Sequence, residues 1–393
     1  MMWTPQNLVY VYFNGLKEKC SVGRLLLKNK KIFFEYSPEF LKLNLELSPF
    51  KLPLKTGVIS NDDRTFDGLF GVFNDSLPDG WGRLLLDRKL MSLGLNPASL
   101  SPLDRLCFVG SHGMGALSYE PENPQTMSTI HRDLDEVDYE IQSVQEESGN
   151  QYLDDLLALG GSSAGARPKI LMRIEDGDWL IKFRSSFDPK DIGCIEYAYH
   201  LMAIEAKLDV PEAKLFPSKK GAGFFGVKRF DRNNGKSIHM HTMAGLLHAD
   251  HREPALDYET IMKTTLYLTR DVRECEKQFR NAVFNVLSHN RDDHAKNFSF
   301  LMNDQGTWKV SPAYDLTFSS GLQGEHSTMV MGEGKKPTQD HLLKLAAVGE
   351  IKKTTATEIV AQVFSAVNQW EHFAERAGVS KLQMKSITAT FRR

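Results

Sequence analysis

The sequence has little net charge, few cysteines and no long apolar run, and each of these features argues against a class of protein. The chain of 393 residues carries 48 basic and 50 acidic residues, so its net charge of −2 creates no overall field that would attract nucleic acid or anionic lipid. Its four cysteines lie far apart without a CxxC pair, which predicts reduced thiols rather than a disulfide framework. No apolar run approaches about eighteen residues, and the N-terminus lacks a basic region followed by an apolar stretch. We therefore expect a cytoplasmic protein with no membrane span and no signal peptide.

Short β-rich runs dominate the first part of the chain. Apolar stretches at 8–12, 22–27 and 31–36 are separated by turn signals such as Asn14-Gly15, a pattern that predicts a small antiparallel sheet. The apolar spacing becomes helical between 81 and 95. We place a first, β-rich subdomain at residues 1–120, followed by a polar linker carrying some helix at 121–150.

The rest of the chain has the element order of a kinase. Strands are predicted at 169–173, 179–183, 213–216 and 224–230, with a helix over 191–208 between the two strand pairs. After residue 240 the pattern is predominantly helical, apart from a strand-turn-strand unit at 298–310. This order predicts an α+β, two-lobed protein-kinase-like fold. The mixed N-terminal lobe would cover 151–235, with the extra β-rich subdomain before it, and an all-helical C-terminal lobe would cover 236–393.

The most informative segment is the loop RDDHAKN at 291–297, which follows a predicted helix over 271–287. Phosphoryl transfer needs a carboxylate to orient the attacking hydroxyl and an amide oxygen to hold Mg²⁺, and the D-x-x-x-x-N spacing of Asp292 and Asn297 supplies both. Asp315, just after the strand-turn-strand unit, stands where a kinase places its second metal ligand. Each aspartate alone is more often a turn or cap residue. The ordered set predicts an ATP-dependent kinase.

A loop of small residues at 159–166 is a candidate phosphate site. Such a loop can bring backbone N–H groups close to phosphate oxygens, although it lacks the Gly-Lys-Ser/Thr of a Walker A loop, and a flexible linker is the alternative. Lys182 lies on the second strand after it, and a lysine on a buried strand is costly unless it meets an anion. A nucleotide phosphate, with Glu196 on the next helix as a tether, would satisfy Lys182. The alternative is that Lys182 faces solvent from an edge strand.

Two histidine pairs raise the question of a zinc site. Neither His239 with His241 nor His289 with His294 has the H-E-x-x-H register, and no cysteine lies at ligand spacing. We therefore do not expect zinc. His294 and Lys296 are predicted instead to line the catalytic loop, where a cation offsets phosphate charge.

The chain resembles the HipA family of serine/threonine kinases, the toxin components of bacterial toxin–antitoxin pairs. In the first subdomain the resemblance rests on VGRL at 22–25 and LPDGWGR at 77–83. In the kinase core it rests on SSAGARPK at 162–169, IKF at 181–183, VKRFDR at 227–232, DDHAKNF at 292–298 and PAYD at 312–315. The sequence departs from the family at Arg167-Pro168, where Gln-Glu is common, and at Lys228, where Glu is usual.

The resemblance implies a role for each matching position. Asp292 would be the catalytic base, while Asn297 and Asp315 would hold Mg²⁺. Ser162 would be the autophosphorylated serine, and the neighbouring Ser163 is the alternative acceptor. The mobile phosphate loop would comprise Ala164, Gly165, Ala166, Arg167, Pro168 and Lys169. Lys182 would contact the α/β-phosphates. The hinge against adenine would comprise Lys228, Arg229 and Phe230. The rest of the nucleotide pocket would comprise His294, Ala295, Lys296 and Tyr314.

The resemblance also implies cofactors and partners. ATP and Mg²⁺ would be the cofactors, and the substrate would be a protein, since family targets include aminoacyl-tRNA synthetases. A small helix-turn-helix antitoxin of the HipB type would be the partner, with DNA reached only indirectly through it, and no membrane would be involved. Two alternatives remain open: a small-molecule phosphotransferase, and a catalytically silent protein that binds an antitoxin and DNA for repression.

Overall fold

A computed structural model describes residues 4–122, 132–160, 165–174, 177–233, 235–250, 252 and 256–391. They form two compact units. Unit 1 comprises Met1–Asp188, Lys228–His248 and Leu301–Gly306, and unit 2 comprises Pro189–Val227, Ala249–Phe300 and Thr307–Arg393. Among the described helices, none is both long and apolar enough to cross a bilayer.

The described residues have a mixed α/β architecture. The strands are β1 Leu8–Phe13, β2 Cys20–Lys28, β3 Lys31–Tyr36, β4 Val58–Ser60, β5 Leu117–Glu120, β6 Lys169–Ile174, β7 Gly177–Lys182, β8 Ala213–Phe216, β9 Phe224–Lys228, β10 Arg232–Asn233, β11 Lys236–Ser237, β12 His239–Thr242, β13 Leu256–Asp257, β14 Ser299–Met302, β15 Trp308–Val310 and β16 Thr328–Met329. The helices are α1 Pro38–Leu43, α2 Gly71–Asn74, α3 Gly80–Ser92, α4 Pro102–Val109, α5 Leu134–Gln145, α6 Leu153–Gly160, α7 Ile192–Glu205, α8 Met243–Leu247, α9 Tyr258–Thr269, α10 Val272–Leu287, α11 Gln339–Val348, α12 Lys353–Val367, α13 Trp370–Ala377 and α14 Lys381–Phe391.

Unit 1 contains a five-stranded antiparallel sheet with the strand order β4-β3-β2-β1-β5. Val9, Val11 and Phe13 are buried at alternate positions of β1, as expected for a strand with one face on a core. Phe34 of β3 packs against Phe73 of α2 with ring centroids 5.1 Å apart. The small antiparallel sheet predicted from the runs at 8–36 is confirmed.

A hairpin of β6 and β7 also lies in unit 1. The two strands pair antiparallel along their full length, and Ile170 and Ile181 face each other with 0% exposure. The helix α6 ends against this hairpin at Gly160, where a Cβ atom would lie only 2.2 Å from the carbonyl oxygen of Lys169. Glycine is therefore required for this close approach. The predicted strands at 169–173 and 179–183 are confirmed.

Unit 2 is mostly helical. Asp271 caps α10, and its carboxylate accepts a hydrogen bond from the N–H of Arg273 at 2.9 Å. Tyr199 of α7 donates from its hydroxyl to the carbonyl of Ser288, where α10 ends, at 2.6 Å. The inward face of α10 carries the apolar residues Cys275, Phe279, Ala282 and Val283. The helices predicted over 191–208 and 271–287 are confirmed.

The prediction of an all-helical segment over 236–393 is wrong. The strand-turn-strand unit expected there is present, since Ser311 N–H donates to the carbonyl of Ser299 at 3.0 Å. The segment also contains β12 and the parallel pair β13 and β16, in which Leu256 lies opposite Thr328. Two-residue strands are too short to show a period of two, and their partners lie far apart in sequence, so no local pattern indicates them.

Candidate active site

The catalytic loop predicted at 291–297 leaves α10 through a sharp backbone turn. His289 has a left-handed backbone conformation with φ of +54°, which ends the helix. Asn290 then donates from its side-chain amide to Oδ1 of Asn285 at 2.9 Å and from its backbone to the Asn285 carbonyl at 3.0 Å. These bonds fix the start of the loop to the last turn of α10.

The two adjacent aspartates of the loop lie in different environments. Asp292 is exposed, whereas Asp293 has 0% exposure. Oδ2 of Asp293 accepts hydrogen bonds from the hydroxyl of Tyr258 at 2.8 Å and from Nδ1 of His326 at 2.9 Å. Burial raises the pKa of Tyr258 well above its usual value, so this hydroxyl stays a donor. Asp293 thus anchors the loop, and Asp292 is the carboxylate that a substrate can reach.

Asn297 is held by the loop itself. It ends a 3-10 turn, and its N–H donates to the carbonyl of His294 at 2.8 Å. Its side-chain Nδ2 donates to the backbone carbonyl of Asp292 at 2.7 Å. Because the amide nitrogen is used in this way, Oδ1 is the atom that Asn297 can offer to a cation.

Asp315 is carried by a segment bonded to the same turn. The hydroxyl of Tyr314 donates to the carbonyl of Lys296 at 2.5 Å, which ties the residue before Asp315 to the residue before Asn297. Asp315 itself has a left-handed φ of +58°, a conformation that costs free energy and is enriched at functional sites.

This donor set fits Mg²⁺. One carboxylate and one amide oxygen are ligands that Mg²⁺ accepts, because the ion usually keeps several waters and completes its shell with substrate phosphates. The described part of the chain contains no group of three or more His, Cys, Asp and Glu side chains suited to a metal ion. A site of Asn297 and Asp315 therefore suits a metal that arrives with a nucleotide.

The histidine pair considered for zinc is part of the packing of unit 1. His241 contacts Oδ2 of Asp75 through Nδ1 at 2.6 Å and Oγ of Ser48 through Nε2 at 2.9 Å, and His239 contacts the carbonyl of Leu47 at 2.9 Å. The Ser48-His241-Asp75 arrangement resembles a hydrolytic triad, but Ser48 and His241 both have 0% exposure. No substrate can reach that serine, so its role is structural.

Unit 1 contains the residues predicted to bind phosphate. Lys169 and Lys182 lie directly opposite each other across β6 and β7, and Lys169 is only 5% exposed. Like charges at directly opposite positions repel, and a polyphosphate beside them would offset the repulsion. A Cβ atom on Gly165 would lie 2.3 Å from Nζ of Lys169, so the ammonium group lies against the backbone of the phosphate loop. This cationic set fits a nucleotide tail.

The predicted adenine hinge, Lys228 to Phe230, adjoins a buried ion pair. The guanidinium of Arg229 donates to Asp231 through Nε at 2.9 Å and Nη2 at 2.7 Å, and Asp231 has 0% exposure. Burial raises the pKa of Asp231, but the charges of Arg229 and Arg232 outweigh it and hold that pKa at about 2. The N–H of Arg229 donates to the carbonyl of Asp178 at 2.8 Å. Because its side chain and N–H are used in this way, Arg229 would contact a nucleotide through its carbonyl.

The predicted site residues fall into two sets, one in each unit. Ser162 and Ala164 lie outside the described residues, as does Ser163. Unit 1 carries Gly165, Ala166, Arg167, Pro168, Lys169, Lys182, Lys228, Arg229 and Phe230, and unit 2 carries Asp292, His294, Ala295, Lys296, Asn297, Tyr314 and Asp315. Sequence reasoning missed the anchor role of Asp293, whose partners are remote in sequence. It also missed that Lys169 faces Lys182, although the register could have been counted from the turn between the two strands.

Comparison with family models decides the identity of the chain. Residues 11–120 match the HipA N-terminal domain, and residues 161–371 match the HipA-like C-terminal domain. The chain belongs to the HipA family. The resemblance noted from the sequence motifs is therefore confirmed over both domains.

Individual HipA-family relatives are distant in sequence. "Putative kinase Y4dM" of Sinorhizobium fredii is 29% identical over 220 residues, which cover 50% of this chain and 52% of that protein. The chain thus spans about half the length of this relative. "Putative kinase Y4mE" of the same organism is 25% identical over 341 residues, 78% of this chain and 72% of that protein. HipA of Shewanella oneidensis MR-1, solved with HipB and operator DNA, has a TM-score of 0.70 at 16% identity, covering 98% of this chain and 94% of that chain, which shows the fold.

Proposed function

We propose that this HipA-family protein is an ATP-dependent serine/threonine protein kinase that uses Mg²⁺ and works in the cytoplasm. The observation that carries the proposal is how unit 2 holds its loop at 291–297. Asp292 is exposed, Asn297 is bonded to the loop's own backbone, and Tyr314, next to Asp315, is bonded to Lys296. The word kinase in the names of two relatives supports the same reaction.

The residues of unit 2 would perform the transfer. Asp292 would orient the acceptor hydroxyl and take its proton as the new P–O bond forms. Oδ1 of Asn297 and the carboxylate of Asp315 would hold Mg²⁺, which when bound neutralises charge that develops on the phosphoryl group. His294 and Lys296 would complete this part of the pocket.

The residues of unit 1 would bind the nucleotide. Lys169 and Lys182 would contact the phosphates, together with the backbone N–H groups of Ala166 and Arg167 in the phosphate loop. The hinge from Lys228 to Phe230 would line the adenine ring, with Arg229 contributing its carbonyl. We also propose a two-lobed kinase-like organisation with the boundaries 1–120, 121–150, 151–235 and 236–393.

The proposal also includes a binding partner and an autophosphorylation site. The related HipA was solved with HipB and operator DNA, which supports a small helix-turn-helix antitoxin as partner here, with DNA reached through it. We also propose that Ser162 accepts the γ-phosphate in an autophosphorylation reaction. Ser162 would lose its hydroxyl proton and ADP would leave.

One labelling experiment tests the reaction and its acceptor. Purified protein is incubated with Mg²⁺ and ATP labelled in the γ-phosphate, and the label is then traced in protein and in low-molecular-weight products. We expect label in protein, a phosphoserine at position 162, and loss of transfer on chelation of Mg²⁺. Asp315→Asn should lower the transfer rate by about a hundredfold or more, because it removes the negative charge of a metal ligand.

The control and the contradicting outcomes are clear. Asp304→Asn removes an exposed turn carboxylate and should transfer phosphate like the wild type. Label found only in small products would overturn the proposal in favour of a small-molecule phosphotransferase. Nucleotide binding without transfer to any acceptor would overturn it in favour of a silent corepressor.

A further inference from the structure

The motif LPDGWGR at 77–83 contacts the phosphate loop in the structure of unit 1. The carboxylate Oδ1 of Asp79 accepts a hydrogen bond from the N–H of Gly165. The N–H of Trp81, in the first turn of α3, donates to the carbonyl of Gly165 at 3.1 Å. Gly165 is therefore held on both its N–H and its carbonyl by the start of α3.

Asp79 is used differently from an ordinary helix cap. It occupies the N-cap position of α3, where an aspartate normally accepts from an N–H of its own helix and stabilises it. Although all residues of α3 are described, none of its N–H groups donates to the Asp79 side chain in a cap hydrogen bond. The carboxylate bonds to Gly165 instead, and an otherwise unsatisfied helix N–H, that of Trp81, is satisfied by the same residue.

Two glycines make this contact sterically feasible. Gly80 has φ of +42°, and a Cβ atom there would lie 2.5 Å from both Cα of Ala166 and the carbonyl oxygen of Gly165. Gly165 has φ of +99°, and its Cβ would lie 2.3 Å from Nζ of Lys169. Backbone thus packs directly on backbone, and the ammonium of Lys169 also lies against Gly165.

A second contact fixes the loop two residues later. Nε of Arg167 donates to both carboxylate oxygens of Asp188 at 3.2 Å. Asp188 is itself oriented by Ser185, whose N–H and hydroxyl donate to it at 2.8 Å and 2.7 Å. The described end of the phosphate loop is thus held at Gly165 and at Arg167, and its backbone conformation depends on the start of α3.

We propose that Asp79 and Gly80 are positioning residues for phosphate binding: they set the backbone at 165–168 and keep Lys169 directed at the nucleotide tail. This inference rests on the proposed function, because it presupposes that the loop binds ATP. It gives the N-terminal domain a role in the chemistry of the C-terminal domain. Removing the Asp79 bond should weaken the binding of phosphates and leave the binding of the nucleoside unchanged.

The test is a calorimetric titration of the full-length protein with MgATP and, separately, with adenosine. Asp79→Ala should weaken MgATP binding by about ten- to hundredfold, the loss expected for a hydrogen bond to a charged group. Asp79→Asn keeps an oxygen acceptor and should stay within about threefold of the wild type. Gly80→Ala should behave like Asp79→Ala because its Cβ displaces the loop. Met91→Ala, at an exposed position near the other end of α3, is the matched control and should bind both ligands normally.

The outcomes separate this inference from the proposed function. If the wild type binds MgATP and Asp79→Ala binds it equally well, the positioning role is refuted while the kinase proposal stands. Parallel loss of adenosine affinity in Asp79→Ala would also refute it, because that result means general misfolding. A wild type that does not bind MgATP overturns the proposed function, and this inference with it.

Discussion

At the scale of single residues, two cross-strand lysine pairs make a useful contrast. Lys169 lies opposite Lys182 and is 5% exposed, whereas Lys28 lies opposite Lys31 at the exposed end of β2 and β3. Water screens the second pair, and Lys31 also forms an ion pair with Asp62 at 2.7 Å, so the charges of this pair cost little. Lys169 is assigned to a phosphate site because its ammonium group lies against Gly165 of the predicted phosphate loop.

Lys182→Met should weaken nucleotide binding without greatly changing the stability of the free protein. We expect the free energy of unfolding without nucleotide to change by about 1 kcal/mol or less, because Lys182 is only partly buried and substitutions outside the core usually have small effects. The rise in melting temperature on addition of MgATP should largely disappear, because a phosphate contact is lost. Thermal denaturation with and without MgATP measures both. Lys31→Met is the matched control, and an equal loss of the MgATP effect in both variants would refute the assignment of Lys182.

Residue types and their local spacing were enough to predict a catalytic set from sequence. Asp292 and Asn297 belong to one loop, and Asp315 follows one hairpin later, so the order could be recognised without a structure. What the sequence could not show is which of the adjacent aspartates is accessible. That depends on Tyr258 and His326, which reach Asp293 from other parts of the chain.

At the scale of elements, the catalytic loop is held by a buried polar network. Asp293 joins α9 through Tyr258, and Tyr258 accepts from Nδ2 of Asn285 on α10 at 2.9 Å. Asp293 also accepts from the N–H of Thr328 on β16 at 3.3 Å. Buried networks of this kind rigidify the segment that they contain. The position of Asp292 therefore depends on two helices and a strand.

Asp293→Asn should lower kcat more than it changes nucleotide affinity. The amide replaces an acceptor oxygen by a donor NH₂ facing donors, which should cost about 1–3 kcal/mol of stability and loosen the loop. The expected result is a kcat lowered by about tenfold or more with KM for ATP near that of the wild type. Steady-state kinetics with a melting curve measures this, and Asp304→Asn is again the control. A normal kcat in a destabilised Asp293→Asn protein would show that the network serves stability alone.

Longer elements were predictable from sequence, and short ones were not. The strands β1, β2 and β3 and the helices α7 and α10 have periods that extend over several residues, which the hydrophobic pattern reveals. The strands β13 and β16 contain two residues each and pair with each other, so only tertiary contacts define them.

At the scale of the whole molecule, sequence motifs indicated the family but not the acceptor. Family models match 11–120 and 161–371, in agreement with motifs found in both regions. The choice of a protein substrate or of an antitoxin would depend on surface shape, which neither periodicity nor spacing encodes. The account therefore depends on the chemistry of the site, where specific side chains have stated tasks.

We propose that Asp292 acts as the base in transfer of phosphate from a bound nucleotide. The measurement that tests it is single-turnover phosphate transfer by Asp292→Asn, with MgATP affinity determined on the same preparation. We predict that the transfer rate falls by about a hundredfold to ten-thousandfold while MgATP affinity and melting temperature stay close to those of the wild type. Transfer at the wild-type rate in Asp292→Asn would contradict the account.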